Sequence, residues 1–184
     1  GYRGRDSIYD PFCGSGTIPI EAALASLNRA PGLKRAFAAR AWRWLDQAVL
    51  PQARCEAQDR EYHGKYTIWG GDVDPACIEI ARANASRAGV ADQIRFETAD
   101  ARSFYRETPG VVISNPPYGE RVMERADAER LYRQFGQAAA RLQGWKFYLL
   151  SSHTEFERAF GRKADKKRKL YNGMIKCDLY MYTR

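Results

Sequence analysis

Residues 7–17 read Ser-Ile-Tyr-Asp-Pro-Phe-Cys-Gly-Ser-Gly-Thr, a short apolar run followed by an acidic residue and a glycine-rich turn. The apolar run is typical of a brief β-strand, and the two glycines let the backbone turn tightly and approach a ligand without an interfering Cβ atom. A helix is predicted from Thr17 to about Leu27, because Pro19 is tolerated in the first turn of a helix. These residues therefore predict a strand, a turn and a helix in succession, with a turn that serves either structure or ligand binding.

Short apolar runs alternate with helical patterns along the rest of the chain. Further strands are predicted over residues 67–71, 94–97, 111–114 and 146–150, and helices over 75–89, 126–142 and 154–160. Residues 33–62 look like an insertion with one or two helices. Strands that alternate with helices predict an α/β protein with a parallel sheet.

The carboxyl-terminal segment has a different pattern. Two β-rich runs, residues 168–171 and 174–182, flank Asn172-Gly173, and Asn-Gly between such runs is a strong hairpin signal. The sheet is therefore expected to finish with an antiparallel hairpin. Because the sequence contains no internal repeat, low-complexity tract or linker, residues 1–184 are expected to form a single domain.

The composition is that of a soluble globular protein. Apolar residues make up 45% of the 184 residues and charged residues 28%, and no run approaches the roughly 18 apolar residues that span a bilayer. Cys13, Cys55, Cys77 and Cys177 are far apart and only two histidines are present, which argues against a metal site and a disulfide framework and favours reduced thiols in a cytoplasmic protein. Since the chain begins with Gly1 rather than Met, we expect either a segment of a longer protein or a processed chain.

The net charge of +8 is concentrated in two clusters. Residues 29–60 hold seven basic and three acidic side chains, and residues 162–176 hold seven basic and one acidic. Such clustering fits a polyanionic partner, because phosphate contacts use Lys and Arg. A solvated surface that keeps the protein soluble is an equal alternative.

Polar clusters follow four of the predicted strands, at residues 10–17, 72–74, 100 and 115–118. Ligands collect beyond the carboxyl ends of the strands in an open α/β sheet. Asp72 could accept both ribose hydroxyls of a nucleoside, because a carboxylate offers two acceptor oxygens, whereas Asp74 is the better cap for the helix that begins at Pro75. Asp100 could accept a hydrogen bond from an adenine amino group, or it could be an ordinary turn residue.

The sequence Asn115-Pro116-Pro117-Tyr118 carries the most specific signal. The Asn115 side-chain oxygen and the Pro116 carbonyl can both accept hydrogen bonds from one exocyclic amine, which orients the nitrogen lone pair towards an electrophile. Tyr118 can stack on a base, and the two prolines restrict the turn. A Pro-Pro turn without any chemistry is the alternative.

Together, residues 10–17 and 115–121 resemble the class I methyltransferases that use S-adenosylmethionine. More narrowly, the chain resembles the THUMP-associated RNA methylases, whose bacterial members methylate guanine N2 in large-subunit ribosomal RNA. The resemblance extends through residues 28–32, 72–75 and the Asn172-Gly173 hairpin, so it covers nearly the whole chain. Some members of that family are labelled adenine-N6 DNA methylases.

The resemblance implies a Rossmann-like fold with a seven-stranded, mostly parallel sheet whose last strand is antiparallel. It implies S-adenosylmethionine as cofactor, with the methionine part held by Asp10 and the backbone through Gly16, the ribose by Asp72, and the adenine by Val73, Asp100 and Ala101. The implied cofactor residues are Asp10, Pro11, Phe12, Cys13, Gly14, Gly16, Thr17, Asp72, Val73, Asp100, Ala101 and Asn115. The implied target-base and catalytic residues are Asn115, Pro116, Pro117 and Tyr118.

The expected function is therefore methylation of an exocyclic base amine, most specifically guanine N2 of ribosomal RNA. Adenine-N6 methylation of DNA or RNA remains an alternative, since the same acceptors fit either amine, and so does a non-catalytic RNA-binding module. A dinucleotide-dependent oxidoreductase is disfavoured because the chain lacks G-x-G-x-x-G. Only nine residues precede Asp10, where family members carry a THUMP region and a linking helix, so the catalytic part of a longer protein is expected.

Overall fold

A seven-stranded sheet lies at the centre of the computed structural model, which describes residues 2, 4–33, 35–118 and 125–183. The strands are β1 (Ile8–Asp10), β2 (Ile68–Asp72), β3 (Ile94–Thr98), β4 (Val111–Ser114), β5 (Lys146–Ser151), β6 (Lys166–Asn172) and β7 (Ile175–Tyr182). Their order is β3-β2-β1-β4-β5-β7-β6; β7 is antiparallel to both neighbours, and the other pairs are parallel. The predicted Rossmann-like α/β fold with an antiparallel carboxyl-terminal hairpin is confirmed.

Five α-helices connect the strands within the described residues. They are α1 (Thr17–Ser26), α2 (Val49–Asp59), α3 (Pro75–Ala88), α4 (Arg125–Ala139) and α5 (Phe156–Phe160), and short 3-10 turns cover Ala38–Ala41, Ala91–Gln93 and Ala101–Ser103. The predicted end of α4 at residue 142 is wrong by one turn. The amides of Arg141 and Leu142 bond to carbonyls three residues back, so the helix tightens there before Gly144 takes a positive φ of 74°.

The turn of the carboxyl-terminal hairpin lies one residue later than its sequence predicts. Asn172 pairs with Ile175 across the ladder, so Gly173 and Met174 form the turn and Asn172 belongs to β6. Gly173 has a φ of +62°, a conformation that glycine adopts without the steric cost of a Cβ atom.

The core has two layers because successive residues of a strand point to opposite faces of a sheet. Ile8 and Ile68 pack in the layer that includes α1 and α3, whereas their neighbours Tyr9 and Trp69 pack in an aromatic layer with α4 and α5. Burial of each large apolar side chain contributes about 1.5–3 kcal/mol. Packing of the two layers fixes the position of the sheet. It therefore also fixes the positions of the strand ends at which the polar clusters lie.

Gly136 lies where α4 packs against α5. A Cβ atom at this position would overlap the main-chain carbonyl oxygen of Phe160, and a backbone atom cannot rotate aside as a side chain can. We therefore expect Gly136→Ala to lower the free energy of unfolding by about 3 kcal/mol, measured by urea denaturation. Gln137→Ala, at an exposed neighbouring position, is the control and should change it by less than about 0.5 kcal/mol. Equal stability of the two variants would contradict this close helix contact.

Among the described residues, no helix combines the length and apolarity needed to span a bilayer.

Candidate active site

The polar clusters predicted from sequence meet at the carboxyl edge of the parallel strands. Asp10 and Asp72 are the last residues of β1 and β2, and Asn115 directly follows β4. A cavity of about 550 Å³ opens beside them. The predicted site residues that line it are Pro11, Phe12, Asp72, Val73, Asp100, Ala101, Asn115 and Pro117.

The other predicted site residues are not among those that line this cavity. Cys13 is buried, and burial raises the pKa of its thiol well above its usual range, so the thiol stays neutral. Gly16, with a φ of +84°, precedes the first residue of α1, Thr17. A Cβ at Gly16 would lie 3.0 Å from the Ala81 Cβ atom, so glycine is required there for two reasons: backbone conformation and the close approach of α3.

Asp10 is a buried carboxyl group beneath the glycine-rich turn, with only 1% of its surface exposed. It accepts hydrogen bonds from the Ser114 hydroxyl at 2.5 Å and from the Phe12 amide at 3.2 Å. Burial nevertheless raises the pKa of Asp10 to about 7, with a smaller contribution from the nearby Asp72 charge, and the two hydrogen bonds only partly oppose that shift. A cationic group bound nearby would favour the ionised form of Asp10.

Asp72 connects the glycine-rich turn to the start of α3. Its carboxylate accepts the Gly14 amide at 3.0 Å and the Asp74 amide at 3.0 Å, one bond on each oxygen. Both oxygens therefore already have a backbone partner, which the sequence did not reveal. Each oxygen keeps further acceptor capacity, and the two bonds fix the orientation of the carboxylate at the cavity wall. The predicted capping role of Asp74 is confirmed, since it accepts the Ala76 amide at 2.8 Å.

Asp100 has a charged partner that the sequence did not reveal. Its carboxylate accepts hydrogen bonds from the Arg102 amide at 2.9 Å and from the Arg102 guanidinium at 2.8 Å. These bonds lower the pKa of Asp100. An adenine amino group could reach Asp100 only by sharing a carboxylate that Arg102 already holds.

Three hydrogen bonds hold the loop of residues 115–118 in place. The Tyr118 hydroxyl donates to the Asn115 Oδ1 atom, and the Asn172 Nδ2 atom donates to the Tyr118 hydroxyl at 3.4 Å. The Pro117 carbonyl accepts the hydroxyl of Tyr132, a buried residue of α4, at 2.5 Å. Pro116 is buried, whereas Asn115 is exposed to the cavity. Residues 119–121, which share in the sequence resemblance, lie outside the described residues.

Helix α4 supplies one wall of the cavity. The sequence predicted the helix but not its place beside the cavity. Its lining residues are Asp127, Arg130, Leu131 and Gln134, and Cys77 and Arg102 line the cavity elsewhere. The four α4 residues recur at intervals of three and four, the spacing that places side chains on one helix face. That spacing could have identified them as one surface, although not as a surface facing the cavity.

A family model and a curated relative both match nearly the whole chain. Residues 1–181 match the family model described as RMKL-like, methyltransferase domain. The ribosomal RNA large subunit methyltransferase K/L of Shewanella amazonensis is 41% identical over 186 residues, which cover 96% of this chain and 26% of that protein.

Two solved structures extend the likeness to three dimensions. The protein SMU.472, crystallised as a complex with SAH, superposes with a TM-score of 0.94 at 42% identity, over 99% of this chain and 49% of that one. A predicted N6-adenine-specific DNA methylase of Listeria monocytogenes superposes with a TM-score of 0.90 at 45% identity, over 97% and 47% of the two chains. The chain thus spans about a quarter of the Shewanella protein and about half of each of these solved chains.

The strand order, the cavity at the carboxyl ends of β1, β2 and β4, and the match over residues 1–181 agree with one another. This chain belongs to the RMKL-like methyltransferase domain family.

Proposed function

We propose that this domain uses S-adenosylmethionine to methylate an exocyclic base amine in RNA, with guanine N2 of ribosomal RNA as the favoured target. The observation that carries the proposal is the 550 Å³ cavity that runs from Asp72 and Val73 on one side to Asn115 on the other. Such a cavity would bring a cofactor bound along β1 and β2 to the Asn115 acceptor. The ribosomal RNA methyltransferase name of the Shewanella relative supports RNA as the substrate.

The residues around the cavity fit this cofactor, which carries positive charge and a flat purine. Asp10 is a buried carboxyl group whose ionised form a nearby cation would stabilise, and Asp72 adds a second carboxylate. Val73, 67% exposed, and Ala101 would contact the purine. The binding of SAH by the similar protein SMU.472 supports the same cofactor here.

The cofactor, when bound, supplies an electrophilic methyl group. The residues of the chain provide position and electrostatics. The Asn115 Oδ1 atom and the Pro116 carbonyl would accept the N–H bonds of the target amine and stabilise positive charge as it develops on the nitrogen. Alignment of amine and methyl would contribute most of the rate enhancement, and the proton can leave to solvent, so a catalytic histidine is not needed.

The Tyr118 hydroxyl would position the Asn115 amide in this arrangement. In the absence of substrate it donates to Asn115 Oδ1, which holds the amide in place. Burial raises the pKa of Tyr118 well above its usual range, so the hydroxyl remains a donor at neutral pH. An amide oxygen can accept two hydrogen bonds, and the second position remains for the substrate amine.

Methylation of adenine N6 is the second candidate, and the name of the Listeria structure favours it. The two acceptors would bind the N6 amine as well as the N2 amine, so the identity of the product distinguishes them.

The test is nucleoside mass spectrometry after the chain is incubated with labelled S-adenosylmethionine and unmodified ribosomal RNA, transfer RNA or DNA. The expected product is N2-methylguanosine in ribosomal RNA. Labelled N6-methyladenine would replace the first candidate with the second. Absence of label from every nucleic acid, with cofactor binding intact, would favour a non-catalytic RNA-binding module; the same assay on a longer chain with the preceding region present would then test that reading.

We expect Asp72→Ala to weaken cofactor binding by about 10- to 100-fold, because a hydrogen bond to a charged group contributes about 1.5–3 kcal/mol. Calorimetric titration with S-adenosylmethionine measures the effect. Asp72→Asn should lose less cofactor affinity than Asp72→Ala, since its amide oxygen can still accept one of the two backbone hydrogen bonds. Glu79→Ala removes the same charge from the exposed surface of α3 and should leave the affinity unchanged. Wild-type affinity in Asp72→Ala would remove Asp72 from the cofactor site.

A further inference from the structure

The edge strand β6 carries the densest positive charge in the chain. Lys166, Lys167, Arg168 and Lys169 are consecutive and all exposed. Lys167 is paired with Glu157 at 2.7 Å. The other three have no ion-pair partner within the described residues. Lysines on an edge strand also discourage edge-to-edge aggregation, and that role alone would require no ligand.

The strand runs from these cations towards the loop of residues 115–118. Residues 166, 168, 170 and 172 alternate onto one face of β6, because side chains of a strand repeat every two residues. Asn172, at the end of this row, donates to the Tyr118 hydroxyl at 3.4 Å. On this face Lys166 and Arg168 are followed by Leu170 and then by Asn172, whose side chain contacts the loop that holds Asn115.

The tip of the hairpin exposes two large side chains beside that contact. Tyr171 is 72% exposed and Met174 is 98% exposed. An exposed tyrosine can stack on an unpaired base, a contact that contributes about 1–3 kcal/mol. Cations along a strand and an aromatic ring at its end are the two features that single-stranded nucleic acid binding requires.

On the basis of the proposed function, we propose that the β6–β7 hairpin binds the sugar–phosphate backbone of the RNA substrate and leads the target nucleotide to Asn115 and Tyr118. Lys166 and Arg168, on the face of β6 that carries Asn172, contact phosphates. Lys169 and Tyr171 lie on the other face of this edge strand, where Lys169 contacts a further phosphate and Tyr171 stacks on a base next to the target. Asn172 joins this surface to the catalytic loop. The other basic cluster, in residues 29–60, lies outside this surface.

The experiment measures binding of a labelled, unmodified RNA oligonucleotide at several salt concentrations without cofactor. The variant is Lys166→Gln/Arg168→Gln/Lys169→Gln. Its matched control, Arg35→Gln/Arg40→Gln/Arg43→Gln, removes the same charge from exposed positions of the other basic cluster. Each phosphate contact of a single strand contributes about 0.7 to the slope of log K against log salt, so the hairpin variant should lose about 2 from the slope and bind roughly tenfold or more weakly.

Three further readouts separate phosphate binding from a folding defect. The charge-preserving variant Lys166→Arg/Arg168→Lys/Lys169→Arg should bind RNA as the wild type does. Tyr171→Ala should weaken binding with no change in the salt slope, because stacking releases no counterions. The hairpin variant should keep wild-type affinity for S-adenosylmethionine and, in the methylation assay, should raise KM for RNA with little change in kcat.

Equal losses in the hairpin variant and its control, no loss in the hairpin variant, or no RNA binding by the wild-type chain would each overturn the assignment. Because binding is measured without methyl transfer, the two proposals fail separately. RNA binding that depends on the hairpin, without any methylated product, would retain the hairpin surface and reject the enzyme. Methylation with an unchanged KM for RNA in the hairpin variant would retain the enzyme and reject the hairpin surface.

Discussion

Asn115→Ala is expected to lower kcat for methyl transfer by about 100-fold or more and to leave the affinity for S-adenosylmethionine within about twofold of wild type. Removal of one preorganised hydrogen-bonding group that stabilises charge in a transition state costs about 10²–10³ in kcat. The effect on cofactor affinity should be small because the carboxylates proposed to hold the cofactor, Asp10 and Asp72, are supported by other residues. Single-turnover kinetics and calorimetric titration measure the two quantities.

Two variants control this prediction. Asn115→Asp keeps an acceptor oxygen at the same place and should retain more activity than the alanine variant. Gln52→Ala removes an exposed amide from α2 and should behave as wild type. Retained activity in Asn115→Ala would reject the catalytic role of Asn115. A large loss of cofactor affinity with unchanged kcat would instead make it a cofactor-binding residue.

The second prediction is that cofactor binding weakens as the pH falls below about 7. Burial raises the pKa of Asp10 to about 7 in the free protein. A cationic cofactor should bind best when Asp10 is ionised, so its affinity should level off above that pH and fall by up to about tenfold per pH unit below it. Calorimetric titration across this range, in buffers with different ionisation enthalpies, would also detect the proton that Asp10 releases on binding.

The control for this prediction is Asp10→Asn, which keeps an oxygen that can accept the Ser114 hydroxyl and the Phe12 amide. Its cofactor affinity should be lower at pH 8 and nearly independent of pH through neutrality. An unchanged pH profile in this variant would show that another group titrates.

The same raised pKa has a consequence for stability in the absence of ligand. The folded-state pKa of Asp10 lies above the usual value of 3.8 for an aspartate, so the ionised form opposes folding. The contribution of Asp10 should favour folding most below about pH 4 and decline as the pH rises towards 7. Asp10→Asn should remove that decline in urea denaturation.

The local elements of the fold could be predicted from the sequence because their signals lie within a few residues. The apolar run before Asp10, the Pro75 start of α3 and its Gly89 end predicted elements that the structure confirms. The convergence of Asp72 and Asn115 on one edge also followed, since parallel strands place their carboxyl ends together. The side-chain period and the preferred φ angles of Gly and Pro supply these signals without any tertiary contact.

Contacts between distant residues were decided only by the tertiary structure. The bond from Gly14 to Asp72 joins residues 58 apart, and the bond from Asn172 to Tyr118 joins residues 54 apart. No local pattern encodes such a pair, because its distance depends on how the core layers set the positions of whole strands and helices. The sequence by itself therefore determined the elements and the edge at which the site would lie. Packing decided which oxygens are already bonded, that α4 forms a cavity wall, and that Asn172 of the basic hairpin contacts the loop of residues 115–118.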